Sequence, residues 1–434
     1  MSARHIPRIK GGRPAPPWMV EHGELNMHAL GPPAEVLAEW KAAGLTLPDL
    51  PAMRRYRIDR VREQLRAHDC DAALLQDPLN IRYATDTTNM SLWTMHNHVR
   101  YAFVATDGPM IVFEFSDGEF LDMHSEVVDE VRPGVSLHPF YTGDRLPEFV
   151  EKWADEIVDL LVEHGRGGRR LAVDAVPLEG IRAFDARSVE LVSGHPLMEE
   201  ARLIKSDDEL LAMRCSIDAC QRDIAEMRAI LEPGITELAL WARLQEANYR
   251  RGGEWVETRL LSSGARTNPW YQEVSSKVVE AGELVAFDTD MIGPYGMCVD
   301  MSRTWLCGGG APSAAQADLH ARAVDMVESN RELFVPGATL RDITANFLYP
   351  PVDDYFGYTV LAHGVGLCDE YPSLFTREKW ETNGFDDVVE VGHVYSVEAF
   401  VGRRDGGEGV KLEDHVVVTD HGPELMTLYP LDLV

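Results

Sequence analysis

Three aspartates lie within one apolar stretch of the chain, LVAFDTDMIGPYGMCVDMSRTW at residues 284–305. Both ends of this stretch are typical of β-strands, and Asp288, Asp290 and Asp300 stand among Val, Phe, Met and Trp. Buried carboxylates on neighbouring strands lose hydration and repel one another, so they require positive charge nearby. We therefore expect a bound cation. From this stretch alone, an alternative stays open: the three aspartates could lie on the surface of an edge hairpin.

Three later segments supply further side chains that bind metals: His363 in HGVG, Glu398 in VYSVEAF and Glu413 in GVKLED. With the aspartates they form an oxygen-rich set with one imidazole. Such a set suits a pair of divalent transition ions, such as Fe, Mn, Co or Zn, bridged by carboxylates, and it does not suit a structural zinc or a copper centre. His363 alone is more often a hydrogen-bonded core histidine, so the prediction depends on the combination.

The order of these residues resembles the pita-bread superfamily, which includes methionine aminopeptidase, prolidase, Xaa-Pro aminopeptidase and creatinase. The matching contexts are VDMSRTW, HGVGL, SVEAF and KLED, and the resemblance covers most of residues 200–430. It implies an α/β (α+β) fold with a C-terminal pita-bread domain that contains an internal pseudo-twofold repeat, preceded by a smaller creatinase-like α/β domain. The metal ligands that it implies are Asp290, Asp300, His363, Glu398 and Glu413.

Two positions that carry histidine in the peptidases of this superfamily carry other residues here. SSGARTNPWYQ places Trp270 between proline and tyrosine, and HGVGLCDEYP, one residue shorter than the peptidase loop, places Asp369 where a second histidine is expected. Because those histidines serve the tetrahedral intermediate of hydrolysis, their loss argues against a peptidase. Near the metal, Asp288 is an additional candidate ligand, and Lys411 stands where arginine is common.

The combination of FDTDM, VDMSRTW, PWYQ and HGVGLCDEYP resembles the dimethylsulfoniopropionate lyases of this superfamily. The resemblance implies cleavage of dimethylsulfoniopropionate to acrylate and dimethyl sulfide, a homodimer and an association with iron. It also implies that Asp369 is the catalytic base and that Tyr358 belongs to the substrate pocket. We expect Trp270 and Tyr271 to face the sulfonium beside Tyr358, because a desolvated cation over an aromatic ring gains roughly 1–2 kcal/mol.

This chemistry accounts for the substitutions. A β-elimination removes a proton from the carbon next to the substrate carboxylate, and two ions that bind this carboxylate would stabilise the negative charge that develops. Asp369, buried beside aromatic side chains, would act as the general base. A neutral aromatic residue in place of a histidine that can become cationic also fits a sulfonium better.

Two other functions stay open at this point. One is a hydrolase, either an Xaa-Pro peptidase or a creatinase-like enzyme with a small cationic substrate, and the other is a non-catalytic pita-bread binding protein. The retained ligands argue against the binding protein, because a scaffold has no physical need for a costly carboxylate cluster. Structural roles also stay open for Trp270 as a core residue and for Asp369 as a helix cap or an orienting partner of His363.

The composition excludes other classes of partner. The 71 acidic and 41 basic residues give a formal net charge of -30, which repels polyanions and argues against nucleic-acid binding. No apolar run approaches the roughly 18 residues of a membrane span. The six cysteines include no CxxC pair, which argues against a disulfide framework. The N-terminal stretch lacks the apolar core of a secretory signal, so we expect a cytoplasmic protein.

The length of 434 residues predicts two domains. We expect an extended arm over residues 1–50, where Pro and Gly are frequent, a creatinase-like α/β domain over residues 51–200, and the catalytic metal-binding domain over residues 201–434. In the first domain, helices are predicted near 57–68 and 148–164. Strands are predicted in DAALLQ, in the hairpin YAFVATDGPMIVFEF and in RRLAVD.

The catalytic domain is predicted to begin with a long amphipathic helix. Ser206 opens a capping box, the helix stops at Pro233-Gly234, and Thr236 begins a second helix. The stretch LEPGITELALWARL at residues 231–244 has an echo in FVPGATLRDITANF at residues 334–347. This similarity predicts an internal duplication whose two halves enclose the site. Two unrelated helix ends that both use Pro-Gly are the alternative.

Overall fold

The computed structural model describes residues 5–14, 31–115 and 117–434. These residues form two compact units: the first contains residues 5–14, 49–115 and 117–202, and the second contains residues 31–48 and 203–434. Within the described ranges no helix is long and apolar enough to cross a membrane. All six cysteines are free thiols.

Part of the predicted N-terminal arm has regular structure. Residues 1–4 and 15–30 of the arm lie outside the described residues. Residues Ala34–Ala42 form a helix rather than an extended segment, and this helix belongs to the second unit. It is held there by Trp40, which is fully buried and donates a hydrogen bond from Nε1 to Asp218 at 3.0 Å. Burial of this indole stabilises the packing of the helix against the second unit of the same chain.

The first unit is built on one seven-stranded mixed sheet. Its strands are Arg8–Ile9 (β1), Ala72–Leu75 (β2), Tyr101–Ala105 (β3), Met110–Glu114 (β4), Glu130–Pro133 (β5), Arg170–Val173 (β6) and Glu190–Ser193 (β7). They follow the order β1-β5-β4-β3-β2-β6-β7, with antiparallel pairs β2-β3 and β3-β4 and parallel pairs elsewhere. The helices are Leu50–Ala67, Pro78–Thr85, Ser91–Thr94, Pro139–Thr142, Leu146–His164, Leu178–Asp185 and Gly194–Leu203.

These elements confirm the helices and strands predicted for the first domain. The first predicted helix begins earlier than expected, at Leu50. Asp49 caps it, because its carboxylate accepts a hydrogen bond from the amide of Ala52 at 3.0 Å, and Pro51 fits the first turn, where its missing N–H is not needed.

The core of the first unit forms where helix Leu146–His164 covers the sheet. Its buried residues recur at steps of three and four, which places them on one face. At the centre, the ring of Trp153 lies 4.8 Å from that of Phe184 and 6.3 Å from that of Tyr101. The large apolar area that Trp153 buries stabilises this unit.

The second unit begins with the predicted long helix, Asp207–Ala229. Its capping box is confirmed: the hydroxyl of Ser206 accepts a hydrogen bond from the amide of Glu209 at 3.2 Å, and the Glu209 carboxylate accepts one from the amide of Ser206 at 2.9 Å. The second predicted helix, Glu237–Arg250, is capped by Thr236 as expected.

Three sheets account for the named strands in the described part of the second unit. The strands are Trp255–Val256 (β8), Leu261–Ser263 (β9), Leu284–Phe287 (β10), Met291–Ile292 (β11), Cys298–Val299 (β12), Arg303–Leu306 (β13), Tyr355–Phe356 (β14), Val360–Val365 (β15), Asp369–Phe375 (β16), Val394–Arg403 (β17), Gly409–Thr419 (β18) and Gly422–Leu425 (β19). The sheet orders are β13-β10-β9, β12-β11-β8 and β16-β15-β17-β18-β19, with β14 paired to β17. The remaining helices are Ala314–Arg331, Leu340–Asn346 and Arg377–Asn383.

An internal repeat organises these sheets, which confirms the predicted duplication. Gly234 and Gly337 both adopt positive φ angles, 101° and 86°, in the turn before a helix. The amide of Gly234 donates to the carbonyl of Val279 at 2.9 Å, and the amide of Gly337 donates to that of Val389 at 2.8 Å. The two copies therefore share backbone hydrogen bonds as well as sequence.

The repeat continues into the strands that follow. VVEAGELVAFD at residues 278–288 matches VVEVGHVYSVE at residues 388–398, and both copies turn at a glycine with positive φ, Gly282 at 85° and Gly392 at 92°. Each stretch then leads into a central strand, β10 or β17. Asp288 and Glu398 therefore occupy equivalent positions in the two halves.

Replacing Trp153 with alanine should destabilise the first unit by about 3–5 kcal/mol, because it removes a fully buried indole and leaves a cavity. Urea unfolding measures this change. Val162→Ala on the same helix is the matched control, since Val162 is 66% exposed and its loss should change the free energy of unfolding by less than about 0.5 kcal/mol. Equal effects of the two substitutions would contradict this assignment of the core.

Candidate metal centre

Short strands and turns bring the three predicted aspartates together. Asp288 follows β10 directly, and Asp300 follows β12. Between them β11 and β12 form an antiparallel hairpin in which Met291 pairs with Val299. Asp290 has a positive φ of 34°, a conformation that aspartate adopts more readily than most residues, and its carboxylate accepts a hydrogen bond from Thr258. All three aspartates are buried.

The remaining predicted ligands lie on three adjacent strands of the large sheet. His363 is on β15, Glu398 on β17 and Glu413 on β18, and the two glutamates are direct cross-strand partners. Two ionised carboxylates placed opposite each other destabilise an antiparallel pair. Positive charge close to both is needed to offset this repulsion.

The six predicted ligands converge around Asp300. Its Oδ2 lies 3.0 Å from Nε2 of His363, which in turn lies 3.6 Å from Oε1 of Glu398 and 3.8 Å from Oε1 of Glu413. Two groups have ligand atoms that all lie within 4.8 Å of one another, and both contain Asp300: one is Asp300, His363 and Glu413, and the other is Asp288, Asp290 and Asp300. The structure thus forms two adjoining sets of three.

Burial and crowding alter the protonation of these groups. Burial, and then the neighbouring carboxylates, raise the pKa of Asp290, Asp300 and Glu398 well above its ordinary value. Burial alone would lower the pKa of His363, but the carboxylates of Asp369, Glu398 and Glu413 outweigh it and raise this pKa to about 9. Protons therefore gather here when no ion is bound, and metal binding would release them.

The donor set fits divalent transition ions. It combines several carboxylates with one imidazole, the mixture that Fe, Mn, Co and Zn accept in two-ion sites. Two of its oxygens also lack other partners, since Oδ1 of Asp288 and Oδ1 of Asp300 are buried and accept no hydrogen bond from any described residue. Such buried oxygens are costly unless a ligand or an ion meets them.

The sequence did not predict the role of Lys411. Its ammonium group is fully buried and lies 2.7 Å from Glu413, 2.9 Å from Glu398 and 3.2 Å from Asp288. Burial alone would lower the pKa of Lys411, but these carboxylates raise it well above its usual value. A signal was available, because Lys411 and Glu413 are two residues apart on one strand and so share a face.

A cavity of about 540 Å³ opens onto the cluster. Asp288, Asp290, Asp300, His363 and Glu398 contribute to its wall, and Glu413 lies behind them, fully buried. The cavity belongs to the second unit alone. It has the size expected of a small-molecule site.

Two predicted substrate-binding residues line this cavity, and the third does not. Tyr271 and Tyr358 are in the wall, with ring centroids 5.4 Å apart. Trp270 lies outside the lining and is buried against Ala286 and Phe400. Its position resembles the core role that the sequence left open.

Asp369 lines the cavity but is not buried, contrary to expectation. Its side chain is 57% exposed, and its Oδ1 lies 3.9 Å from Nδ1 of His363. The alternation of side chains along β16 explains the exposure, because neighbouring residues on a strand point to opposite faces. Glu370 takes the inner position and forms a buried ion pair with Lys205 at 2.8 Å.

Comparisons with known sequences agree with this arrangement. Residues 57–204 match the creatinase/prolidase N-terminal domain, and residues 212–420 match metallopeptidase family M24. The match to a metallopeptidase family implies binding of divalent metal.

Solved structures show a similar fold. The Xaa-Pro dipeptidase of Bacillus anthracis superposes with a TM-score of 0.70 at 21% identity, covering 88% of this chain and 99% of the dipeptidase. An X-Pro aminopeptidase of Thermotoga maritima gives a TM-score of 0.70 at 20% identity, over 87% of this chain and 99% of the aminopeptidase. These likenesses confirm the predicted two-part fold, with a creatinase-type domain before a pita-bread domain.

Curated relatives are more similar in sequence. The dimethylsulfoniopropionate lyase DddP of Roseovarius nubinhibens is 41% identical over 415 residues, which cover 94% of this chain and 93% of the relative. DddP of Roseobacter denitrificans is 40% identical over 417 residues, with the same coverage of both chains. The chain belongs to the family of the dimethylsulfoniopropionate lyases DddP.

Proposed function

We propose that this protein is a carbon–sulfur lyase that cleaves dimethylsulfoniopropionate to acrylate and dimethyl sulfide. The observation that carries the proposal is a complete set of metal-type ligands combined with Trp270 and Asp369 at the two places where peptidases of the superfamily have histidine. The high identity with two lyases over nearly the whole chain supports the same substrate.

The ligands of the proposed centre are Asp288, Asp290, Asp300, His363, Glu398 and Glu413. Asp300 belongs to both sets of three, so it would help to hold each of two ions in a subunit. When bound, the ions supply Lewis-acid stabilisation of the charge that develops on the substrate carboxylate. Iron as the ion and assembly as a homodimer rest on the resemblance to this family, and a cytoplasmic location, expected from the N-terminal sequence, completes the proposal.

Asp369 is the proposed base. It lines the same cavity as the ligands, and its exposure leaves room for substrate beside it. Its carboxylate takes the proton from the carbon next to the substrate carboxylate. The electron pair of that bond forms the double bond of acrylate, the carbon–sulfur bond breaks, and its pair leaves with neutral dimethyl sulfide. Asp369 then returns the proton to water.

The sulfonium end is proposed to lie against Tyr271 and Tyr358. Both phenol rings line the cavity, and aromatic faces attract a desolvated cation. The carboxylate of Glu257 also lines it and favours a positive group by its charge, whereas Glu273 in the same wall lies 3.9 Å from the guanidinium of Arg259. Trp270 is proposed to shape this wall from behind, since Tyr358 packs against the buried cluster of Trp270, Ala286 and Phe400.

Purified protein loaded with Fe²⁺ or Mn²⁺ should release dimethyl sulfide from dimethylsulfoniopropionate. Gas chromatography of the headspace measures the sulfide, and liquid chromatography should find acrylate in equal amount. An Xaa-Pro dipeptide, tested in parallel, should stay intact because both peptidase histidines are absent. Cleavage of the dipeptide without dimethyl sulfide would instead support the hydrolase.

Asp369→Asn should lower kcat by about 10²–10⁴-fold, because the amide keeps the shape of the side chain but cannot accept the proton. Metal content, measured by mass spectrometry, should not change. Asp353→Asn, at an exposed carboxylate, is the control and should keep full activity. If Asp369→Asn retains wild-type turnover, Asp369 is not the base.

Asp300→Asn should reduce the metal bound per subunit to less than about half of the wild-type amount, because both sets of ligands contain Asp300. Elemental analysis after dialysis measures the change. Asp420→Asn is a suitable comparison, since Asp420 is exposed on the surface, and it should retain its metal. Unchanged metal in the Asp300 variant would refute the role of Asp300 as a ligand shared by both sets.

A further inference from the structure

The carboxylates next to Lys411 divide their two oxygens between different partners. Glu398 directs Oε1 toward His363 and Oε2 toward the ammonium group of Lys411. Glu413 does the same, with Oε1 near His363 and Oε2 at 2.7 Å from the ammonium nitrogen. Each glutamate therefore has one oxygen held by the lysine and the other turned toward His363, and Oε1 of Glu413 also accepts a hydrogen bond from the hydroxyl of Ser396 at 2.8 Å.

Asp288 takes part in the same arrangement. Its Oδ2 lies 3.2 Å from the ammonium nitrogen of Lys411, whereas its Oδ1 is buried without a hydrogen-bond partner among the described residues. Asp288 is also the counterpart of Glu398 in the internal repeat. The lysine thus contacts equivalent carboxylates from both halves of the unit.

The ammonium group is fixed in this place. It donates a hydrogen bond to the hydroxyl of Ser302 at 2.9 Å, and that hydroxyl donates to Glu413 at 2.8 Å. It also lies 5.8 Å from the ring centroid of Trp270 and 5.1 Å from that of Tyr358. Both rings are within the range of a cation–π contact, so Trp270 is placed to hold this lysine.

The charge balance of the cluster indicates the electrostatic role of Lys411. The five carboxylates of the cluster carry five negative charges when ionised, one more than two divalent ions can neutralise. We propose that Lys411 is a built-in counter-cation for the additional aspartate, Asp288, and that it leaves a net charge matched to two divalent ions. This inference rests on the proposed two-ion centre.

The pairing of Lys411 with Asp288 predicts that a substitution of Asp288 compensates for the loss of the lysine. Lys411→Met leaves Asp288, Glu398 and Glu413 buried beside a neutral side chain and should lower the melting temperature of the chelated protein by roughly 10 °C. Asp288→Asn removes the surplus charge, so the double variant should recover at least half of this loss. A lysine that served only to fill space would give no recovery.

Ion binding provides a second, independent test. Asp288→Asn alone leaves one positive charge in excess and should weaken Co²⁺ binding, followed by the visible absorption of the cobalt protein. The double variant should bind Co²⁺ at least about tenfold more tightly than Asp288→Asn, because the net charge again matches two ions. Lys411→Arg keeps the charge and should stay close to wild type in both measurements.

The proposal would be overturned by a double variant no more stable than Lys411→Met, or by one that binds Co²⁺ no better than Asp288→Asn. It would also be overturned if Lys411→Met and the double variant both failed to fold. If only the single lysine variant fails to fold, folding of the double variant is itself the expected rescue. Neither the melting temperature nor Co²⁺ binding depends on lyase activity. A wild-type protein that does not cleave dimethylsulfoniopropionate would therefore refute the proposed function without deciding the role of Lys411.

Discussion

Repulsion among buried carboxylates is the constraint on which the centre of this protein depends. Asp288, Asp290, Asp300, Glu398 and Glu413 lie together and are almost fully buried, so water screens them little. Such a cluster is stable only with positive charge inside it or with protons on its members. Lys411 supplies one such charge, and the donor set is suited to bound ions for the rest.

The internal repeat explains how one chain assembles this cluster. Each half contributes a helix, a glycine turn and a central strand, and each places an acidic residue at the equivalent position: Asp288 directly after β10 and Glu398 within β17. The halves are joined by further buried charges, since Arg303 on β13 forms an ion pair with Asp414 on β18 at 2.8 Å. A duplicated scaffold thus presents similar side chains to one point from two directions.

Much of this arrangement could be predicted from the sequence because strands with a buried face have a recognisable pattern of apolar residues. The capping box at Ser206, the ligand segments and the duplication could all be found from local patterns. The buried place of Lys411 was not predicted, although Lys411 shares a strand face with Glu413, because a lysine on a strand more often extends to solvent. The exposure of Asp369 was also missed: a two-residue period fixes which neighbours alternate but not which of them, Asp369 or Glu370, points inward.

Anomalous X-ray diffraction from crystals of the metal-loaded protein can show whether ions occupy this carboxylate cluster. Two peaks about 3.5–4 Å apart are expected, both beside the Asp300 carboxylate, with His363 next to one of them. A map with no peak at Asp300, or with ions bound only at other carboxylates, would contradict this expectation.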